Sequence, residues 1–217
     1  MAIIITGDII SSSKLALTKR QQLLNQLLKE LFAALRVVWR RKELLRMESV
    51  QGDSFQVYLL NNQDGIRAAL LIKCFYLAQN KVGETYRFDC RLSIGLGKVT
   101  LLHPDSLAKS GGVVFDYSGR GLKEFSRAGS QMLFKTREVH WAQAINMGLA
   151  LSDELLRRCT PAQSQAVLLK LTYPQQTQEW LAGRVGISRS AYSQRLKQTG
   201  WSALELLLAY YKETVKA

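Results

Sequence analysis

Two aspartates have the type and position that metal chemistry requires. Asp8 follows Gly7 at the end of an apolar run, and Asp53 follows Gly52 between two alternating runs. If neighbouring strands bring both carboxylates to one sheet edge, the pair can hold Mg²⁺, or Mn²⁺ in its place, together with substrate phosphates. Two such ions about 4 Å apart can activate a hydroxyl and stabilise a leaving pyrophosphate. Taken singly, each Gly-Asp pair is also ordinary turn chemistry.

A serine cluster lies directly after the first of these aspartates. Ser11, Ser12 and Ser13 precede a run of leucines at helical spacing. Backbone N–H groups at the start of a helix are suited to bind phosphate oxygens. The cluster is therefore a candidate segment for holding a triphosphate.

The elements that must position these residues alternate between strands and helices. Apolar residues of period two predict strands, and leucines at helical spacing predict helices. The predicted strands are 2–6, the hairpin 48–60, 87–101 and 131–135, and the predicted helices are 17–38, 65–79, 121–127 and 138–158. This β-α-β-β-α-β-α-β order predicts an α+β fold of ferredoxin-like type, with an antiparallel or mixed sheet and helices on one face.

Composition shifts after Cys159, where Thr160-Pro161 is typical of a helix start. We therefore predict two domains, 1–158 and 159–217.

The second predicted domain contains two short helices separated by a glycine. Helices are expected at 177–185 and 189–198, with Thr177 and Ser188 as N-caps and Gly186 in the turn between them. A short helix, a tight turn and a capped second helix are typical of the helix-turn-helix motif.

The second helix of this motif leaves one polar face. Ile187, Tyr192 and Leu196 form its inward side, and the outward residues can reach base edges or phosphates in a major groove: Arg189, Ser190, Ser193, Gln194 and Lys197. Arg184 and Arg195 are better placed to contact the DNA backbone. The pattern predicts DNA binding, and the alternative is a three-helix bundle used for dimerisation.

Charge and composition agree with a phosphate-bearing partner. The 217 residues include 30 Lys and Arg against 17 Asp and Glu, a formal net charge of +13. Such a balance favours nucleotides, nucleic acid or an acidic membrane surface as partners. No apolar run approaches the roughly 20 residues of a membrane helix. Three cysteines without paired spacing and two histidines argue against a zinc site or a disulfide framework, so we expect a cytoplasmic protein.

Four sequence blocks resemble those of the SatD family in the same order: 5–10 (ITGDII), 51–56 (QGDSFQ), 91–99 (RLSIGLGKV) and 116–127 (DYSGRGLKEFSR). The family also carries a C-terminal helix-turn-helix, so the resemblance spans almost the whole chain. The same blocks are similar to a reduced class III nucleotidyl cyclase palm domain. The resemblance thus implies a cyclase-like palm domain followed by a small all-α helix-turn-helix domain.

The resemblance also implies roles for single residues. In cyclases, an aspartate at the end of the first strand and another in a Gly-Asp hairpin bind two metal ions. These roles would fall on Asp8 and Asp53, with the backbone of Ile9 helping.

The fourth block supplies the remaining roles that the resemblance implies. Arg127 would contact a phosphate, and Asp116 has the position of a base-reading aspartate. Lys123 stands where cyclases have the asparagine that orients the ribose.

Three hypotheses follow. The first is a regulator in which a metal- and nucleotide-binding cyclase-like domain controls a DNA-binding module. The second is an active Mg²⁺-dependent nucleotidyl cyclase or nucleotidyltransferase that makes a cyclic nucleotide or oligonucleotide. The third is a non-catalytic interaction protein. A homodimer is expected because helix-turn-helix proteins often dimerise and cyclase palms often need a partner subunit.

Overall fold

The computed structural model describes residues 1–10, 17–40, 45–50, 53–81, 87–125 and 129–215, with the backbone alone for 17–21. Five strands form one sheet: β1 (Ala2–Ile10), β2 (Leu45–Ser49), β3 (Ser54–Leu59), β4 (Asp89–Gly97) and β5 (Met132–Lys135). Their order is β2-β3-β1-β4-β5, and only β4 and β5 pair in parallel. The first four strands have the ferredoxin-like arrangement, which confirms the predicted α+β class and mixed sheet.

Eight α-helices lie within the described residues: α1 (Leu17–Val38), α2 (Gly65–Ala78), α3 (Val113–Glu124), α4 (Val139–Arg157), α5 (Pro161–Thr172), α6 (Gln178–Arg184), α7 (Arg189–Gln198) and α8 (Trp201–Thr214). None of the described helices combines the length and apolar character needed to cross a membrane.

The prediction that all helices cover one sheet face is wrong. Ile3 and Ile5 of β1 belong to the large core that includes α1 and α2, whereas Ile4 packs with Val114 of α3 on the opposite face. Successive residues of a strand point to opposite sides, so β1 is buried on both faces. A Cβ at Gly95 of β4 would come within 2.4 Å of the Val114 carbonyl oxygen, so this glycine permits the close approach of α3.

Helix α3 also begins earlier than predicted. The expected helix covered 121–127, but α3 starts at Val113, directly after Gly112 at φ 136°. Gly119 and Gly121 weaken the helical pattern in this stretch, which hid its first two turns. Packing against the sheet stabilises the helix in spite of these residues, since Val114, Ser118 and Gly121 are buried.

Helices α5 and α8 pack against α2, and the helices after residue 158 extend the same hydrophobic core. Arg67 of α2 donates from Nε to the Leu171 carbonyl of α5 at 2.9 Å, and the Tyr211 hydroxyl of α8 donates to the Asn62 carbonyl at 2.8 Å. The predicted Thr160 cap is confirmed, because its hydroxyl accepts a hydrogen bond from Gln163. The division into 1–158 and 159–217 stays a prediction, and its boundary falls in the short link between α4 and α5.

A buried ion triad joins three elements of this core. Lys73 of α2 is 0% exposed, and its Nζ lies 2.6 Å from Asp89 Oδ1 and 2.8 Å from Asp153 Oδ1. Asp153 also accepts a hydrogen bond from the Gln131 backbone N–H at 2.7 Å. Burial lowers the pKa of Lys73, but the two carboxylates outweigh burial and hold that pKa above its usual value. The triad therefore fixes α2, β4 and α4 to one another as charged groups.

Candidate functional site

The structure brings the chain positions of the two predicted metal-binding aspartates together. Asp8 lies opposite Ser54 in the β1–β3 ladder, and the Ile9 N–H donates to the Asp53 carbonyl at 3.2 Å. Asp53, directly before β3, therefore lies beside the C-terminal residues of β1. The expectation from the sequence goes further, to two carboxyl groups that share one cation-binding cleft, and that part stays a prediction.

The carboxylate of Asp8 is already paired with an arginine. Arg91 is the partner of Asp8 in the β1–β4 ladder, and its Nε donates to Asp8 Oδ1 at 3.0 Å while its terminal nitrogen binds Oδ2. Two parallel N–H···O bonds make this a bidentate, charge-assisted pair. Sequence reasoning gave Arg91 no role at this site, although it is a basic residue within a strand whose other residues are buried.

The predicted two-ion centre of Asp8, Ile9 and Asp53 stays a prediction, and Arg91 already binds one of its two carboxylates. Within the described ranges, no cluster of three or more His, Cys, Asp or Glu side chains could hold a metal ion. Mg²⁺ or Mn²⁺ would have to compete with Arg91 for the oxygens of Asp8, where the guanidinium already neutralises the charge.

Two of the other residues predicted for this site lie on α3, and the rest lie outside the described part of the chain. Asp116 and Lys123 are exposed on α3, on the side away from the buried Ser118, which accepts a hydrogen bond from Thr6 of β1 at 3.0 Å. The predicted phosphate-binding Ser11, Ser12, Ser13 and Arg127 lie outside the described residues.

The turn between α6 and α7 has the local geometry that the sequence predicted. Thr177 caps α6 by accepting from the Trp180 N–H, and Ser188 caps α7 by accepting from the Ala191 N–H. Gly186 has φ +66°, a left-handed conformation that favours glycine. Both predicted caps and the role of the turn glycine are thus confirmed.

Helix α7 is held by its buried face. Tyr192 is 0% exposed, and its hydroxyl donates to the Ala166 carbonyl of α5 at 2.8 Å. Burial raises the pKa of Tyr192 to about 12, so this hydroxyl keeps its proton. Leu196 is also buried, whereas Ile187 is half-buried. The orientation of α7 is therefore fixed by contacts on one side only.

The opposite face of α7 carries most of the residues predicted to reach DNA. Arg189, Ser190, Gln194 and Lys197 are exposed, and Ser193 is half-buried. These five residues and Gln178 line an open depression of about 510 Å³. Gln178, the first residue of α6, was not predicted as a site residue, although it stands next to the Thr177 cap in the sequence.

The two arginines predicted to contact the DNA backbone differ in their surroundings. Arg184 is exposed and lies over the rings of Trp180 and Tyr173, at 5.4 and 5.9 Å from the ring centroids. These rings hold its guanidinium beside α6 through cation–π contacts. Arg195 is half-buried on α7. Arg184 is therefore a positioned surface cation, whereas Arg195 is less accessible.

No family model and no curated protein sequence matches this chain. Solved structures similar to it include the active GGEEF domain of a diguanylate cyclase from Vibrio cholerae (14% identity, 63% of this chain, 84% of that chain, TM-score 0.46). A bacterial light-regulated adenylyl cyclase (17%, 66%, 79%, TM-score 0.49) is also similar, as is a dimeric guanylyl cyclase domain from the aquatic fungus Blastocladiella emersonii (12%, 66%, 83%, TM-score 0.44). These structural similarities are weak, and the functional case rests on the residues of this chain.

Proposed function

We propose that this chain is a DNA-binding regulatory protein in which residues 1–158 bind a nucleotide or similar anion and change the DNA affinity of α7. The observation that carries the proposal is the exposed polar face of α7, presented by a capped helix behind a left-handed glycine turn. We expect the protein to act in the cytoplasm as a homodimer, as many helix-turn-helix proteins do.

The dimensions and side chains of α7 support this proposal. Its ten residues form a helix about 10–12 Å in diameter with its side chains, which a major groove about 12 Å wide admits. Arg189 can form two hydrogen bonds to a guanine, Gln194 can form two to an adenine, and Lys197 can contact a phosphate. None of the ion pairs among the described residues uses Arg189 or Lys197, so these cations are accessible to an anionic partner.

Fluorescence anisotropy with labelled random-sequence duplex DNA tests the binding proposal without a known target. We expect the full chain to bind at low salt and the Arg189→Ala/Lys197→Ala variant to bind at least about tenfold more weakly. The matched control is Lys81→Ala/Lys109→Ala, which removes two exposed cations elsewhere. Equal losses in both variants would show that net charge, not the face of α7, attracts the DNA.

The regulatory part requires a nucleotide that distinguishes two states of the protein, since a ligand shifts an equilibrium only through a difference in affinity. ATP and GTP are the probes, added to the same DNA titration with and without Mg²⁺. We expect one of them to change the DNA affinity of the wild-type chain and to lose this effect in Asp53→Ala. An unchanged DNA affinity with both nucleotides would overturn nucleotide sensing and leave DNA binding intact.

A second candidate function is a nucleotidyl cyclase or nucleotidyltransferase. The convergence of β1 with the hairpin that carries Asp53 favours it, whereas the pairing of Asp8 with Arg91 opposes it. A divalent cation, Mg²⁺ or Mn²⁺, belongs to this candidate only if Arg91 releases Asp8. Incubation with radiolabelled nucleoside triphosphates and either ion tests it: turnover that Asp53→Ala abolishes would favour the enzyme, and absence of turnover would reject it.

A further inference from the structure

A cavity of about 760 Å³ lies at the end of the sheet opposite Asp8. Met1, Leu96 and Gly97 are among its lining residues, at the point where β1 begins and β4 ends. In the ladder, Ala2 pairs with Gly97 and Asp8 pairs with Arg91, so the two sheet ends are about 20 Å apart at 3.3 Å per residue. This far-end cavity is therefore separate from the site built around Asp8.

The size and walls of the far-end cavity are those of a small-molecule site. Pockets for such ligands measure about 300–1,000 Å³ and are lined mainly by apolar and aromatic groups. Val113, Val139, Tyr117 and Trp141 supply walls of this kind. Val139 is 62% exposed, which leaves an apolar side chain facing water. An apolar body in the cavity would cover it.

The charge of the lining selects for an anion. Lys98 and Arg137 are exposed cations at the rim, and His140 adjoins them, whereas Glu138 is the one acidic residue among the lining residues of the structure. Two of the lining residues, Val113 and Val139, also begin helices α3 and α4, neither of which has a side-chain cap. The N-terminal ends of these helices add partial positive charge near the cavity.

The far-end cavity touches the helix that follows α7. Thr214 of α8 lines it, and Trp141 donates from Nε1 to the Thr214 hydroxyl at 2.8 Å. The indole also stacks on Tyr211 of α8, with ring centroids 5.7 Å apart and planes inclined by 16°. A ligand against Trp141 would therefore contact the packing of α8, which begins three residues after α7 ends.

We propose that the far-end cavity binds a small amphipathic anion with an aromatic body, and that this ligand changes the DNA affinity of α7 through α8. The aromatic body packs against Trp141 and Val139, and the anionic group lies near Lys98 and Arg137. The coupling rests on the proposed DNA-binding function, whereas ligand binding does not. The ligand acts on DNA binding to the extent that its affinity differs between two positions of α8.

A pair of fluorescent probes tests the binding step on the full chain. 8-Anilinonaphthalene-1-sulfonate has an aromatic body and an anionic group, and N-phenyl-1-naphthylamine has the same body without the charge. We expect saturable binding of one sulfonate per chain, at least about tenfold tighter than binding of the neutral probe. Equal affinities, or no saturable binding of the sulfonate, would overturn the proposal.

Variants locate the bound probe. Val139→Asp places a negative charge in the cavity at an exposed helix start, where an acidic residue is favourable for folding. We expect it to weaken sulfonate binding at least about tenfold, and the uncharged Val139→Asn to weaken it less. Val37→Asp makes the same change at an exposed valine of α1 and is the control. Equal effects of Val37→Asp and Val139→Asp would place the probe elsewhere and overturn the site.

The DNA titration, repeated with saturating sulfonate probe, tests the coupling. A changed DNA affinity in the wild type that Val139→Asp abolishes supports it, and an unchanged affinity despite bound probe overturns it. If the chain binds no DNA at all, the proposed function fails, whereas the ligand site is still decided by fluorescence alone.

Discussion

Two groups of charged side chains in this molecule, each containing a lysine, lie in opposite surroundings. Lys73 is 0% exposed and lies between the carboxylates of Asp89 and Asp153. Lys197 and Arg189 are exposed on α7 and take part in none of the ion pairs found among the described residues. The interior cation is committed to carboxylates of the chain itself, and the surface cations are available to a partner.

The contrast separates charges that stabilise the fold from charges that bind. A buried charge that loses its partner is strongly destabilising, whereas an exposed charge is screened by water and salt. Substitutions in the triad should therefore change the free energy of unfolding, and substitutions on α7 should change binding alone. Each prediction below tests one side of this contrast.

The largest expected effect is that of Asp153→Ala. It leaves Lys73 with one carboxylate and removes the acceptor of the Gln131 N–H, so we expect a loss of about 3–5 kcal/mol in the free energy of unfolding. Urea denaturation measures it. The control is Glu154→Ala, one residue along α4, whose exposed pairs with Arg157 and Arg158 should leave the midpoint almost unchanged. Similar midpoints for the two variants would contradict the distinction.

The next largest expected effect compares Gly95, which is closely packed, with Gly183, which has open space around it. A Cβ at Gly95 would meet the Val114 carbonyl oxygen at 2.4 Å and the Ser118 nitrogen at 2.9 Å, so Gly95→Ala should push α3 off the sheet and cost about 1–3 kcal/mol. Gly183→Ala on α6 meets no atom within 4 Å and should stabilise by about 0.5–1 kcal/mol. Thermal unfolding compares them, and a destabilising Gly183→Ala would contradict the packing described for α6.

The smallest expected effect is a pH dependence at Glu48. The side chain of Glu48 is half-buried, between the buried Lys73 and the exposed cations of α7. Its carboxylate accepts from the Ser106 hydroxyl at 2.9 Å and from the N–H groups of Leu107 and Ala108. Burial raises the pKa of Glu48, but these hydrogen bonds and the charge of Arg46 outweigh burial and lower it below 4.5.

The sign of the pH dependence follows from this lowered pKa. The stabilisation is present above the unfolded pKa near 4.5 and is lost as the pH falls through the lower, folded pKa. We expect the Leu107 and Ala108 amides to lose protection in that acid range, measured as the hydrogen-exchange rate relative to the intrinsic rate at the same pH. In Glu48→Gln the protection of these two amides should be low and should not change with pH in the same range. If the variant keeps the pH dependence of the wild type, another group titrates.

Local sequence patterns predicted the elements that short-range chemistry controls. Thr177, Gly186 and Ser188 define the ends of α6 and α7 through hydrogen bonds and a φ angle within a few residues, so a single sequence carries the information. The hairpin that carries Asp53 was predicted for the same reason.

Features that depend on distant residues were missed. The pairing of Asp8 with Arg91 joins residues 83 positions apart and follows from strand register, which the sequence does not state. The side of the sheet that α3 covers depends on Gly95 and on packing. The far-end cavity likewise depends on how α8 folds back on α4, through Trp141 and Thr214.

The salt dependence of DNA binding tests the central claim most directly. Each phosphate contact contributes about 0.9 to the slope of log K against log salt, so on random-sequence duplex DNA the Arg189→Ala/Lys197→Ala variant, which loses the phosphate contact of Lys197, should have a slope smaller in magnitude by at least about 0.9. Lys81→Ala/Lys109→Ala should keep the wild-type slope. An unchanged slope in the α7 variant, or the same reduction in both variants, would contradict DNA binding through the exposed face of α7.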